Sequence, residues 1–190
     1  ENVHELNKLT VIANESYSDI ISQAASKYNL PDKLISAVIK QESNFNNSIV
    51  SHAGAQGLMQ IMPQTGLYYG VKDLMNPEQN IIAGSRHLMR MQKQFKREGM
   101  TQEELIKFTL AAYNAGEGRI SDCISLADAK GIDSMKWDEI VNNVIPMMRE
   151  DSILEEESVK HGKFQGHETI AYIDSILSHY RAICAIHPEI

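Results

Sequence analysis

Apolar residues recur at helical spacing along almost the whole chain, and no long segment alternates as a half-buried strand would. That regularity restricts the chain to an all-α fold. Ile20, Ile21, Ala24, Ala25 and Tyr28 share one face between Ser16 and Tyr28. Asn29-Leu30-Pro31 then breaks and restarts the chain, with Pro31 suited to a first helical turn. The next helix carries Ile35, Val38, Ile39 and Glu42 at i, i+3, i+4 and i+7. A carboxylate therefore stands on an apolar stripe.

Residues 43–70 break the pattern. Gly54, Gly57, Pro63, Gly66 and Gly70 punctuate them, and they read as a loop with a short helix or strand. Asn76-Pro77 opens a helix with Ile81, Gly84, Leu88, Met91 and Phe95 inward, leaving Arg86, Arg90, Lys93 and Lys96 as a solvated face. Thr101 and Glu104 form a capping-box pattern ahead of Leu105, Phe108 and Ala112, and Gly116 marks the stop. Further helices are expected from Arg119 to about Lys130, through Trp137, Ile140, Val141 and Val144 with an end before Pro146, and through Ile170, Ile173, Leu177 and Tyr180. Residues 149–166, with the acids Glu150, Asp151, Glu155, Glu156 and Glu157, read as a loop or surface flap.

Composition narrows the function classes. With 190 residues and 43% apolar content the chain builds one core without staples. Lys and Arg number 18 against 25 acids, a net charge of −7, and no cationic cluster is present to hold a nucleic acid. No apolar run approaches the roughly 18–20 residues of a membrane span. Cys123 and Cys184 are either two buried thiols or one long-range disulfide. The seven histidines show no HExxH or metal-ligand spacing, so neither metal nor cofactor is expected. No GxSxG supports a hydrolase triad, and Gly116-Glu117-Gly118 lacks the remaining glycines of a phosphate loop.

Burial disfavours the ionised form of a carboxylate and moves it toward proton donation near neutrality, the property of a general acid. The simpler alternative is a Glu rotated toward water at a helix end. Three blocks bear on the choice: Glu42-Ser43-Asn44-Phe45, then Ser51 with Gly54-Ala55-Gln56-Gly57-Leu58-Met59-Gln60-Ile61-Met62-Pro63, then Ala111-Ala112-Tyr113-Asn114-Ala115-Gly116. In this order and spacing they resemble the lytic transglycosylases with the soluble-type (SLT) catalytic domain, glycoside hydrolase family 23. The longer run through Ser125-Leu126-Ala127, Trp137, Val141, Pro146, Gly166-His167-Glu168 and Tyr172 is most similar to the catalytic domains of the membrane-bound F-type murein transglycosylases. The resemblance covers residues 16–183.

The resemblance implies a lysozyme-like α-helical domain over 16–190, with a small irregular or β excursion after the catalytic helix. Residues 1–15 would be a linker or N-terminal extension. It makes Glu42 the catalytic acid/base, and Ser51, Gln60, Met62, Tyr113, Asn114 and Glu168 the lining of a glycan groove. Met62 reads equally well as core filler, Tyr113 as a ring buried for packing, and Asn114 as a shaper of the helix end. The implied substrate is peptidoglycan, cut between N-acetylmuramic acid and N-acetylglucosamine. The implied product is a 1,6-anhydromuramoyl end, closed with help from the substrate's own acetamido group. A second carboxylate near Glu42, which most glycosidases need, is missing from the sequence: the next acid is Asp73. A monomer in the periplasm is expected, as part of a longer envelope protein with an export signal, a solute-binding-like domain and attachment to the outer membrane. A goose-type-lysozyme-like muramidase and a non-catalytic peptidoglycan-binding module remain as alternatives.

Overall fold

Helices make up all the extended secondary structure of the described residues. The structure, a computed structural model, describes residues 16–186; the expected linker, 1–15, lies outside them. Helix α1 spans 16–28. It is followed by α2 (Asp32–Ser43), α3 (Pro63–Tyr68), α4 (Pro77–Phe95), α5 (Gln102–Ala115) and α6 (Glu117–Lys130). Next come α7 (Trp137–Glu139), a π-helical turn (Ile140–Val144), α8 (Ile145–Met148), a 3-10 turn (Asp151–Glu155) and α9 (His167–Ile186). Residues 43–70 contain both a short helix, α3, and a trace of β pairing. That pairing is two isolated antiparallel bridges, Val50 with Gln56 and Gln56 with Ile61. The chain divides into two compact units, one running to Met89 and resuming at Ser175, the other Arg90–Asp174.

In the first unit α2 is the core helix. Leu34, Ile35, Ser36, Ala37, Val38 and Ile39 are all buried, so the helix is enclosed well beyond the predicted stripe. Ser36 and Ala37 are small, and let neighbours close on the side that periodicity leaves outward. Leu58, Met59, Ile81 and Leu88 are fully buried in the same unit. Each such side chain contributes about 1.5–3 kcal/mol relative to exposure. Met59 seats against α4 at Gly84, where a Cβ would lie 2.7 Å from Met59 Cε. A side chain at position 84 would displace the methionine.

Asn80 of α4 is fully buried and fully bonded. Its Oδ1 accepts from Met59 N–H at 2.8 Å. Its Nδ2 donates to Gln56 O at 2.7 Å and to Leu74 O at 2.8 Å. The Asn80 carboxamide comes so close because position 57 is glycine. A Cβ there would meet Asn80 Nδ2 and lie 2.6 Å from Leu74 O, and the φ of +75° is one that side chains disfavour.

In the second unit, Phe108, Leu110, Ile120 and Leu126 are fully buried. Phe108 meets Trp137 edge to face with centroids 5.5 Å apart. Thr101 caps α5, accepting from Glu104 N–H at 3.2 Å. The Glu104 carboxylate then departs from the predicted capping box and accepts from Trp137 N–H at 2.6 Å. The predicted end before Pro146 is also corrected. A π-helical turn precedes the proline, and Pro146 sits in the first turn of α8, where a missing N–H costs nothing. Two basic residues assigned to a solvated face are bonded and half-buried. Arg86 donates to Tyr69 O at 2.7 Å with its guanidinium 5.3 Å from that ring's centroid, and Arg90 pairs with Glu117 at 2.8 Å. Cys123 and Cys184 are free thiols; burial, with Asp122 beside it, pushes the Cys123 thiol up to about 12.

Replacing Asn80 by Ala strands Met59 N–H and Leu74 O away from water and leaves the part-buried Gln56 O without its partner. A loss of about 3 kcal/mol is expected, read as a lower denaturant midpoint. A loss below about 1 kcal/mol would show that the contact is incidental.

Candidate active site

Glu42 is half-buried, the penultimate residue of α2. The chain reverses immediately after it. Asn44 (φ 50°) and Phe45 (φ 60°) are both left-handed, and so is Gln60 (φ 51°) farther along the same loop. Asn tolerates this region; a Phe in it costs on the order of 1–2 kcal/mol. Burial of the Phe45 ring offsets that strain. The turn is fastened by Ser43, whose buried hydroxyl bridges Ile39 O at 3.1 Å and Leu58 O at 2.8 Å. The end of α2 and the glycine-punctuated block are thus one piece.

Ser51 closes a tight turn in that block. Its N–H donates to Ala55 O at 2.8 Å, and its Oγ accepts from Ala55 N–H at 3.0 Å, which leaves the hydroxyl proton to donate elsewhere. Gln60 is oriented by its amide, which donates to Gly57 O at 2.9 Å and Ile49 O at 3.2 Å. Its side-chain oxygen is left as an acceptor. Met62 is 43% exposed at the N-cap of α3, which removes it from the core. Asp73, the next acid after Glu42, accepts from Met75 and Asn76 N–H at 3.0 and 3.3 Å, and shapes the turn before α4.

In the second unit Tyr113, half-buried, and Asn114, exposed, occupy the last turn of α5. Asn114 Oδ1 accepts from the hydroxyl of buried Thr169 at 2.7 Å, fastening the end of α5 to the start of α9. Asn114 and Glu168 thereby line one cleft of about 490 Å³, together with Arg119 and the stretch from Lys163 to Thr169. Glu168, exposed, is the second residue of α9, where the helix dipole favours an anion. The 149–166 segment is tethered at several points. Lys130 pairs with Glu156 at 2.7 Å and Lys163 with Asp151 at 2.6 Å. Buried Asp122 accepts from Lys160 and His161 N–H at 2.9 and 2.6 Å.

Residues 19–136 match the transglycosylase SLT domain, well over half of the chain. The chain belongs to this family. The match contains Glu42, Ser51, Gln60, Met62, Tyr113 and Asn114; Glu168 lies beyond it. Relatives include the membrane-bound lytic murein transglycosylase F of Desulfosudis oleivorans, 33% identical over 86% of this chain and 35% of its own length. That of Maricaulis maris is 30% identical over 89% of this chain and 36% of its own. The chain thus spans about a third of these relatives. The 70 kDa soluble lytic transglycosylase of Escherichia coli shares the fold, with a TM-score of 0.61, 27% identity, and coverage of 88% of this chain and 24% of that one. A 70 kDa soluble lytic transglycosylase in complex with bulgecin A aligns with the same TM-score at 26% identity, over 91% of this chain and 25% of that one. The SLT domain here is accordingly all-α and lysozyme-like.

Sequence reading missed the parts that hold these side chains. Asn80 carried a signal, an amide beside Ile81 where α4 turns inward. Thr169 and Asp122 carried none, because their partners lie 55 and about 38 residues away. Among the described residues no group of three or more His, Cys, Asp or Glu side chains is arranged to hold a metal ion, and no helix is long and apolar enough to cross a membrane.

His179 of α9 contacts Gln41 Oε1 through Nε2 at 3.2 Å, beside Glu42 in the sequence. Burial, and then the Lys40 charge, hold its pKa below the ordinary 6.5. The folded chain therefore binds fewer protons at this site than the unfolded one. Its contribution to stability is present above the unfolded pKa and is lost as pH falls through the depressed folded value. The denaturant midpoint is expected to fall between about pH 7 and about pH 5, and to fall less in His179→Gln. Equal falls would remove His179 from the account.

Proposed function

We propose that residues 16–190 form the catalytic domain of a lytic transglycosylase acting on peptidoglycan glycan strands. It cleaves the β-1,4 bond between N-acetylmuramic acid and N-acetylglucosamine, with Glu42 as the single acid and base. The observation that carries this reading is the setting of Glu42: a half-buried carboxylate at a helix end, followed by a loop that orients neutral side chains and belongs to the SLT family match. The relatives' names, lytic murein transglycosylases, support the substrate.

The chemistry follows from one carboxylate. The Glu42 acid gives its proton to the glycosidic oxygen as the bond from C1 to that oxygen breaks. The substrate's 2-acetamido oxygen stabilises the positive charge left at C1, the task a second enzyme carboxylate performs in most glycosidases. The Glu42 carboxylate then takes the proton of the muramoyl 6-hydroxyl, whose oxygen bonds to C1 and closes the 1,6-anhydro ring. Glu42 ends protonated as it began, and no water is consumed. Ser51 donates a hydroxyl proton, Gln60 offers a carbonyl oxygen and Asn114 an amide, all neutral groups suited to sugar hydroxyls and acetamides. Met62 supplies an exposed apolar surface for a sugar face. Tyr113 presents a phenol that bonds the acetamide or the departing oxygen, and Glu168 accepts from a hydroxyl.

The words membrane-bound and murein in the relatives' names support a periplasmic setting in the cell envelope, with the parent protein attached to the outer membrane. The chain's share of those relatives supports further domains in the parent, with 1–15 as linker. We take the catalytic domain to act as a monomer.

Glu42→Gln is expected to keep its unfolding midpoint and to lose at least about a hundredfold in cleavage rate, the lower bound for a general acid. Wild-type turnover in that variant would remove Glu42 from the mechanism. Wild-type products are expected to be muropeptides lighter by one water than those of a lysozyme. Reducing-end muramic acid in their place would make the enzyme a muramidase, and no cleavage at all would make it a binding module.

A further inference from the structure

The cleft of the second unit contains charges that a neutral glycan does not call for. Asn114 and Glu168, which line it, suit hydroxyls and acetamides. Arg119 and Lys163 line the same cleft. The Arg119 side chain, exposed on α6, has no hydrogen bond or ion pair among the described residues. Lys163 is paired with Asp151 at 2.6 Å, but the Asp151 side chain is 92% exposed, and such a pair exchanges for another anion at little cost. His167, which also lines the cleft, approaches Arg149 Nη2 through Nδ1 at 3.4 Å. These donors gather on a chain whose net charge is −7. Global attraction therefore works against an anionic ligand, and any preference for one is local.

We infer that this cleft reads a carboxylate of the peptide stem borne by the muramic acid residue, with Arg119 as the principal contact and Lys163 as the second. The inference rests on the peptidoglycan reading above. A volume of about 490 Å³ lies in the range of sites that hold a drug-sized ligand, and it exceeds what the lactyl group alone would fill. Guanidinium is the side chain best shaped for a carboxylate, because its fork donates two parallel hydrogen bonds. Glu168, in the same cleft, keeps the acid end of the stem toward Arg119 by repulsion and leaves its own oxygens to the sugar. The tethers of the 149–166 segment then acquire a purpose: Asp122, by holding Lys160 and His161, presents Lys163 at the cleft in a fixed place.

The test compares three substrates with the whole chain: strands with intact stems, strands whose stem carboxylates have been amidated, and strands stripped of stems by an amidase, which keep the lactyl carboxylate. For the wild type, kcat/KM is expected to be higher on intact stems than on amidated ones. In Arg119→Ala the ratio of kcat/KM on intact stems to that on stripped strands is expected to fall about tenfold, the order for losing one charge-assisted hydrogen bond, chiefly through KM. Lys163→Gln should lower the ratio less, and Arg119→Lys should restore part of it. An unchanged ratio in Arg119→Ala overturns the inference. So does a loss equal on all three substrates, or one confined to stripped strands, where the lactyl carboxylate would be the group read. Absence of wild-type cleavage on every substrate would instead strike the glycan-cleaving reading, so the two failures are distinct.

Discussion

The candidate site in the first unit depends on one buried amide. Asn80 gives both its protons and its oxygen to backbone groups of Gln56, Leu74 and Met59. That arrangement converts a glycine-rich loop, with almost no secondary structure of its own, into a rigid platform. A loop of this kind would otherwise move freely, since two isolated bridges hold few hydrogen bonds. An amide fixed in the core can serve because it satisfies three backbone groups at once, and each of the two buried ones, Met59 N–H and Leu74 O, would cost about 1–3 kcal/mol if left alone. Gly57 and Gly84 are the clearances that make the close approach possible.

Strain and anchoring are paired around Glu42. Consecutive left-handed residues directly after α2 turn the chain sharply, so that the carboxylate stands at a helix end next to a bend. Such backbone persists only where its surroundings over-determine it. Here they do: Phe45 is buried, Ser43 bonds across to Leu58, and Leu58 and Met59 are locked in the core. The second unit uses a similar economy. One hydroxyl-to-amide bond, Thr169 to Asn114, joins two helix ends, and one buried carboxylate, Asp122, gathers a polar segment that would otherwise be loose.

Much of this was legible in the amino-acid order. Helices α1, α2, α4, α5, α6 and α9 follow from apolar spacing and from Pro31, Thr101 and Gly116, because periodicity and caps are local properties; α3 lies in the stretch that stood open between helix and strand. Errors arose where a distant partner intervened. Glu104 matched a capping box, yet Trp137 N–H claims its carboxylate. Arg86 and Arg90 lay off the apolar stripe, yet Tyr69 and Glu117 draw them into bonds. Pro146 looked like a terminator and starts a new turn, because a π-helical turn before it changes the phase of the helix. Met62, open between core and surface, proved exposed.

The sequence by itself determined the all-α class, the carboxylate at the end of an apolar stripe, and three short blocks that mark the family. These are readable because each depends on residues within a few turns of one another. Only the tertiary structure decided which polar groups keep hydrogen-bonding capacity and which are consumed in holding the fold. Gln60 uses its amide on Gly57 and Ile49 and keeps its oxygen, Ser51 keeps its proton, and Asp73 is committed to a turn. Arg119 alone does not announce itself in the sequence; the cleft it lines with Lys163 and Asn114 makes it notable. The physical reason is that a hydrogen-bonding group has a fixed capacity, and its partners, often tens of residues away, determine how much of that capacity is left for a ligand.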